Sequence, residues 1–291
     1  MKKIMVTGAT GNLGSQILQL LIKKAGSKGL SAIARDPSKL ASVREQGVNV
    51  VQADYENKES LLKAFQGIDI LYFVSGSEID KRMKQHKNVI DTAKEAGIKH
   101  VVYTSFQRKT ETNASPVAPI ASAHVQTEKW LKGSGLTYTI LKHALYSDVI
   151  PMFLGENVIE REVIYQPAGD GKVSFASRSD MAAAAAVTLT TEGHGNNTYE
   201  IAGSESYSYN DIAKILSDLS GKQIVYVSPS AEEFRKTLAD AGVPAGIIEM
   251  TSMFNEGIRQ GEFDFPDPTL EKLIGRQPQS VEDFLKTVYR K

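Results

Sequence analysis

Thr7-Gly8-Ala9-Thr10-Gly11-Asn12-Leu13-Gly14 lies between a short apolar run and a segment of helical periodicity. Its three glycines have separate uses. Gly8 permits a tight turn, Gly11 lets the backbone approach a pyrophosphate, and Gly14 lets the helix pack closely on the strand. The helix N-terminus then offers unpaired N–H groups and a partial positive charge to phosphates. Thr10, Asn12 and Leu13 complete the loop. Glycine spacing alone is a weak signal, and the strand–turn–helix context strengthens it. The chemistry indicated is recognition of a dinucleotide.

The next strand ends at Ala34-Arg35. An acidic residue here would accept hydrogen bonds from ribose hydroxyls, whereas an arginine suits a 2′-phosphate. Lys39, a helical turn further on, can add a second charge. The expected cofactor is therefore NADPH, with NADH less favoured; the alternative for Arg35 is a solvated surface residue. Asp36 reads as a cap for a helix that Pro37 opens. Asp54, after the third strand, suits either the adenine amino group or a helix N-cap. Tyr55 beside it, Ser75 and Gly76 after the fourth strand, and Thr104 closing the fifth are further candidates for cofactor contact.

The elements that position these residues follow an alternating pattern. Lys3–Thr7, Leu30–Ala34, Val48–Ala53, Ile70–Val74, Val101–Thr104 and Tyr138–Leu141 read as buried strands. Helices fall at Leu13–Lys24, after Asp36, around Leu61 to Phe65, at Met83–Ala96 and at Ile120–Lys132. Strands apolar on both faces, separated by amphipathic helices, imply an α/β fold with a Rossmann-type doubly wound parallel sheet. Residues 205–291 read mainly as helices with one strand, Gln223–Val227, which suggests a smaller C-terminal lobe. Lys81-Arg82-Met83-Lys84 reads as a solvated helix start.

The bulk composition narrows the function. The chain has 291 residues, 41% apolar and 23% charged, with zero net charge, so neither disorder nor a strongly basic nucleic-acid surface is indicated. It has no cysteine, which excludes disulfides, thiolate nucleophiles and cysteine-held metals. The histidines lack metal-ligand spacing. The N-terminal apolar run breaks at Gly8, too early for a secretory signal, and no stretch approaches the roughly 18 apolar residues of a membrane span. A cytoplasmic protein with no membrane or nucleic-acid partner is expected, and a homodimer only as a base rate.

The glycine loop, Ala32-Ile33-Ala34-Arg35-Asp36-Pro37, Ala53-Asp54-Tyr55, Gln85-His86-Lys87-Asn88-Val89-Ile90, Thr127-Glu128-Lys129, Ala144-Leu145-Tyr146 and Ala168-Gly169-Asp170-Gly171 occur in an order that resembles the NmrA-like atypical short-chain dehydrogenases/reductases. The likeness spans nearly the whole chain. Within that family it is similar to the group of bacterial NAD(P)H:quinone oxidoreductases type 2 and triphenylmethane reductases. The resemblance implies an NAD(P)-binding Rossmann domain over 1–146, with return segments at about 167–187 and 197–203. Residues 147–166 and 204–291 would then form a smaller substrate-binding lobe.

Typical members of the wider superfamily use a Tyr-x-x-x-Lys pair as proton donor and ribose anchor. Counting back from Gly135, Ile120 falls on the tyrosine position and His124 on the lysine position. Ketone–alcohol chemistry and sugar epimerisation are therefore disfavoured. Hydride transfer to a quinone or similar aromatic acceptor needs less from the protein: stacking against the nicotinamide, and exclusion of water. The resemblance thus implies an NADPH-dependent oxidoreductase. Its pocket would contain Phe106, His143, Tyr146 and Phe153, with Ser105 on an acceptor oxygen. His124 would contact ribose or nicotinamide, or donate a proton. The alternatives are a surface His124, ordinary packing for Tyr146, and, for the protein, a non-catalytic NAD(P) sensor.

Overall fold

A computed structural model describes residues 2–290. In chain order the first half comprises β1 (Ile4–Val6), α1 (Asn12–Ala25), β2 (Leu30–Ala34), a 3₁₀ turn (Pro37–Leu40), α2 (Ala41–Glu45), β3 (Asn49–Gln52), α3 (Lys58–Phe65), β4 (Ile70–Phe73), α4 (Ile79–Glu95), β5 (His100–Phe106), α5 (Ala118–Gly133) and β6 (Thr137–His143). The second half comprises α6 (Ile150–Leu154), α7 (Val158–Arg161), β7 (Val163–Tyr165), β8 (Lys172–Val173), α8 (Arg178–Thr190), β9 (Asn197–Ile201), β10 (Tyr207–Ser208), α9 (Tyr209–Ser220), β11 (Val225–Val227), α10 (Ala231–Asp240), α11 (Ala245–Arg259), α12 (Thr269–Ile274) and α13 (Val281–Tyr289).

Seven strands form one sheet in the order β3-β2-β1-β4-β5-β6-β9, and every pairing in it is parallel. The inner strands β1, β2 and β4 are buried on both faces and almost wholly apolar, whereas the edge strand β3, expected to be buried, is partly exposed. Two apolar cores result. One joins Ile17, Leu18 and Leu21 of α1 to the alanine face of α8. The other joins Leu61 and Phe65 of α3 to Val89 and Ala93 of α4. Small side chains at Ala182, Ala185 and Ala186 let α8 approach α1 closely, and all three are buried.

A third core gathers Leu145, Ile150, Leu154, Ile164, Leu216, Ile258, Phe263 and Leu285. There β11 pairs in parallel with β7, and β10 pairs antiparallel with β8. Strands β7, β8 and β10 have three residues or two, too few for alternation to register in the sequence. Helix α4 begins at Ile79, four residues before the expected Met83, because the Lys81–Lys84 segment is helical. Strand β5 continues to Phe106, past the expected Thr104, and β6 to His143, past Leu141. No helix among the described residues is long and apolar enough to cross a membrane, and no group of three or more His, Asp or Glu among them could hold a metal.

Candidate active site

The strand order reverses between β1 and β4, and in doubly wound sheets the crevice at the carboxyl ends of such strands receives the ligand. A cleft of about 260 Å³ opens there. Its lining follows the four strands that border it: Gly8, Thr10 and Gly11 after β1, Arg35 after β2, Asp54 and Tyr55 after β3, and Ser75 to Glu78 after β4.

The glycine loop fits a pyrophosphate on three counts. Gly8 has φ +61°, a left-handed conformation that side chains disfavour. A Cβ on Gly14 would overlap the Gly8 carbonyl oxygen, so helix and turn meet only through glycine. Gly11 caps α1 without a side-chain hydrogen bond, leaving the first N–H groups of the helix free for an anion. Asn12 is exposed at this end, whereas the Leu13 side chain is in the core and only its backbone faces the loop.

Arg35 is 72% exposed at the cleft edge, with its Nη1 3.7 Å from Glu78 Oε2. Such a pair is loose and solvated, and a phosphate dianion can displace it. Asp36 caps the following turn, accepting from Ser38 N at 3.1 Å, and hydrogen bonds from Ser38 hold its carboxyl below the usual carboxylate range. Lys39 is exposed on that turn and does not line the cleft. Asp54 does line it, while also accepting from Glu56 N at 2.9 Å. The N-cap of α3 is Asn57, not Asp54. The Tyr55 hydroxyl donates to the Val74 carbonyl at 2.8 Å and contacts the Thr7 hydroxyl, tying the ends of β1 and β4 together.

The turn at Ser75 and Gly76 is held from below. Ser75 N donates to Thr104 Oγ1 at 2.8 Å, so Thr104 supports the turn and does not line the cleft. Gly76 N donates to His86 Nε2 at 3.0 Å, and Arg82 Nε donates to the Gly76 carbonyl at 2.6 Å. A Cβ on Gly76 would lie 2.5 Å from Gln85 Oε1. Arg82, Gln85 and His86 come from one face of α4, and all three are buried. Arg82 therefore departs from the solvated helix start expected of the basic cluster: at 8% exposure it lies beneath the turn.

Beyond Gly76 lies a buried group of rings. His124 Nδ1 is 2.8 Å from the Tyr103 hydroxyl, and its Nε2 is 3.4 Å from Arg82 Nη1. Burial first, then the Arg82 charge, hold the His124 imidazole well below its ordinary titration range. His86 is held down to about 3 by burial and by Arg82, and His143 to about 3 by burial. The expectation that His124 is on the surface or donates a proton near neutral pH is thus opposed by its 4% exposure and its neutral ring. It serves instead as a neutral acceptor for Arg82. Both ring nitrogens of His143 and the Tyr72 hydroxyl are buried with no partner among the described residues. Tyr146 is half-buried, its ring edge-on to His143 and its face 4.5 Å from the Arg178 guanidinium.

The Ser105 hydroxyl is engaged away from the expected acceptor oxygen. It contacts Glu128, which is paired through both oxygens with Arg108 at 2.8 and 2.9 Å. Phe106 is half-buried between His124 and Phe263, with ring centroids at 5.9 and 5.8 Å. Phe153 is buried at the far end of the same aromatic row, which runs Phe106, Phe263, Phe254, Phe153. Phe106 and Phe153 therefore do not share one wall. Ile120, on the usual tyrosine position, is buried and apolar.

Arg82, Gln85 and His86 were not anticipated as site residues. A signal was present: Arg82, His86, Val89 and Ala93 recur at helical spacing, which puts two polar residues on the buried stripe of α4.

The sheet order and the glycine loop at its crossover define a Rossmann-type dinucleotide-binding protein. Sequence and structure comparison narrow this class. The NmrA-like family profile matches residues 1–285, and the chain belongs to the NmrA-like family. It is 36% identical over 286 residues to quinone oxidoreductase 2 of Escherichia coli strain K12, with 98% of each chain covered. It superposes with TM-score 0.92 on an NADPH-dependent quinone oxidoreductase complexed with NADPH from E. coli, at 36% identity, covering 99% of this chain and 100% of that one. The triphenylmethane reductase of a Citrobacter species superposes with TM-score 0.90 at 36% identity, covering 99% of both chains.

Proposed function

We propose that this chain is an NADPH-dependent reductase that passes a hydride to a quinone or a similarly electrophilic aromatic acceptor. The observation that carries the reading is the cleft at the β1/β4 crossover with Arg35 at its outer edge. It occurs in a chain aligned over 98% of its length with a quinone oxidoreductase. The N–H groups of α1 receive the pyrophosphate, Gly8, Gly11 and Gly14 provide the room for it, and Arg35 faces the 2′-phosphate. Asp54 is placed for the adenosine end. Bound NADPH supplies the hydride.

The residues beyond Gly76 orient the reacting partners and exclude water. No phenol occupies the position of Ile120, and His86, His124 and His143 are all neutral. An acceptor that takes its final proton from water suits such a site better than a ketone does. Phe106 and Tyr146 offer ring faces for stacking an aromatic acceptor, and Phe153, at the far end of the aromatic row, supports that row from a distance.

Initial rates of NADPH oxidation with and without a panel of quinones test the reading. The expected result is quinone-dependent oxidation, faster with NADPH than with NADH. Tight NADPH binding with no turnover on any acceptor would move the chain to the sensor class.

A further inference from the structure

Arg82 has no counter-ion among the described residues. Its side chain is buried, and no carboxylate among them lies within ion-pair distance of it. The nearby acids are already engaged: Glu78 with Lys81, Gln85 and Arg35, and Glu128 with Arg108. What surrounds the guanidinium is neutral. The Gly76 carbonyl accepts from Nε, His124 Nε2 faces Nη1, and the phenols of Tyr103 and Tyr146 are held protonated by burial. Nη2 makes no hydrogen bond among the described residues. A desolvated cation without an anion is costly to a fold, and it is an arrangement expected where an anion arrives during function.

The location indicates which anion. Arg82 lies beneath Gly76 and beside His124 of α5, and it is not among the residues that line the cleft with the glycine loop and Arg35. In this topology the pyrophosphate crosses at β1, and the nicotinamide end points toward β4 and β5. The charge that appears at that end is on the acceptor. A quinone takes up a hydride there, one proton with two electrons, as a C–H bond of NADPH breaks and an O–H bond forms, which leaves the negative charge on the other quinone oxygen. The products are NADP⁺ and the hydroquinone monoanion, and water supplies the second proton. We propose that Arg82 stabilises the negative charge placed on the acceptor oxygen, with Gly76 and His124 fixing the guanidinium for that purpose. The inference rests on the reductase reading and specifies its electrostatic group.

Binding to the NADP⁺-loaded protein separates this from a role toward the cofactor. The probes are pentafluorophenolate, an aromatic oxyanion, and pentafluorotoluene, its neutral counterpart, both measured by calorimetry. The wild type should prefer the phenolate. Arg82→Gln should reduce that preference by about thirtyfold, the usual weight of a charge-assisted hydrogen bond. Arg82→Lys should restore part of it, and NADPH affinity should fall by clearly less than the affinity for phenolate, since Arg82 also holds the Gly76 carbonyl. Melting curves show whether each variant is folded, and the lysine variant serves if the glutamine variant is not. Two results overturn the proposal: an unchanged phenolate preference, or a loss of NADPH affinity that equals or exceeds the loss for phenolate. The latter would assign Arg82 to the pyrophosphate or to the turn alone. If wild-type protein reduces no quinone, the reductase reading itself fails, whatever the probes show.

Discussion

Two arginines are buried within the same end of the sheet, and their surroundings differ completely. Arg108 is closed on itself. Its guanidinium meets Glu128 through two parallel hydrogen bonds, adds Glu111 at 2.8 Å and donates to the Phe106 carbonyl at 2.7 Å. Burial pushes the Glu128 carboxyl up, but the hydrogen bonds and charge of Arg108 outweigh it and hold the group below the usual carboxylate range. The same region pins the loop after β5, since Glu262 accepts from Lys109 N and Thr110 N at 3.2 and 3.0 Å. Arg82 has one carbonyl, one neutral histidine and no acid among the described residues. A buried charge matched by carboxylates holds a loop in place. An unpaired one costs stability, and the gain must come from elsewhere.

The most direct way to break this contrast is to remove each guanidinium in turn. Arg108→Met strands Glu128 in the interior and should lower the unfolding free energy by about 3–5 kcal/mol. Arg82→Met removes a desolvated cation along with one hydrogen bond, and should change stability by no more than about 1 kcal/mol. Urea titrations of both variants provide the check, and equal losses would remove the distinction.

Arg35 is a third case, an exposed arginine whose loose partner Glu78 a phosphate can replace. On the proposed reading, Arg35→Ala removes a charge-assisted hydrogen bond to the 2′-phosphate. It should weaken NADPH by about tenfold or more, and NADH by less than about twofold. Fluorescence titration with each dinucleotide would show it. Equal weakening of both would mean that the residue does not read the 2′-phosphate.

The neutral histidines sharpen the comparison, because burial keeps all three uncharged and the Arg82 charge reinforces it at His86 and His124. Their folded pKa values lie below the unfolded value of about 6.5. Below that pH the unfolded chain binds protons that the native state refuses. Stability is therefore complete above about pH 6.5 and is lost as pH falls from there toward the folded values. Replacing His124 with Gln should flatten the decline by roughly 1 kcal/mol per pH unit, as read by denaturant midpoints across the acid range. A slope unchanged by that substitution would mean that the ring is already protonated.

The smallest effect concerns Glu78. Glu78→Gln removes the exposed partner of Arg35, and should raise NADPH affinity by less than about threefold. A fall in affinity would show instead that Glu78 supports the cleft, through its hydrogen bond with Gln85.

The glycine-loop side of the candidate site was legible in the sequence because it is built from backbone. Gly8, Gly11 and Gly14 act through what they lack, and their spacing along one strand–turn–helix segment is a local property. Arg35 was legible for the same reason, since the end of β2 is fixed by an apolar run. The proposed acceptor half is assembled from α4, α5, β5 and β6, and its character depends on which charges find partners across those elements. Ser105 reads as a free hydroxyl until Glu128 and Arg108 are seen beside it. His124 reads as a titrating group until burial and Arg82 make it neutral. Arg82 reads as surface because lysines flank it, and only the helical register with His86 and Val89 reveals the inward face. The strands β7, β8 and β10 went unread for a simpler reason, their length.

One measurement tests the central claim most directly. Under anaerobic conditions, limiting NADPH is mixed with excess enzyme and a quinone, and the absorbances of NADPH and quinone are followed together. The account predicts that both decay in step, with one hydroquinone formed for each NADPH consumed. NADPH that binds and persists in the presence of every quinone tried would contradict it.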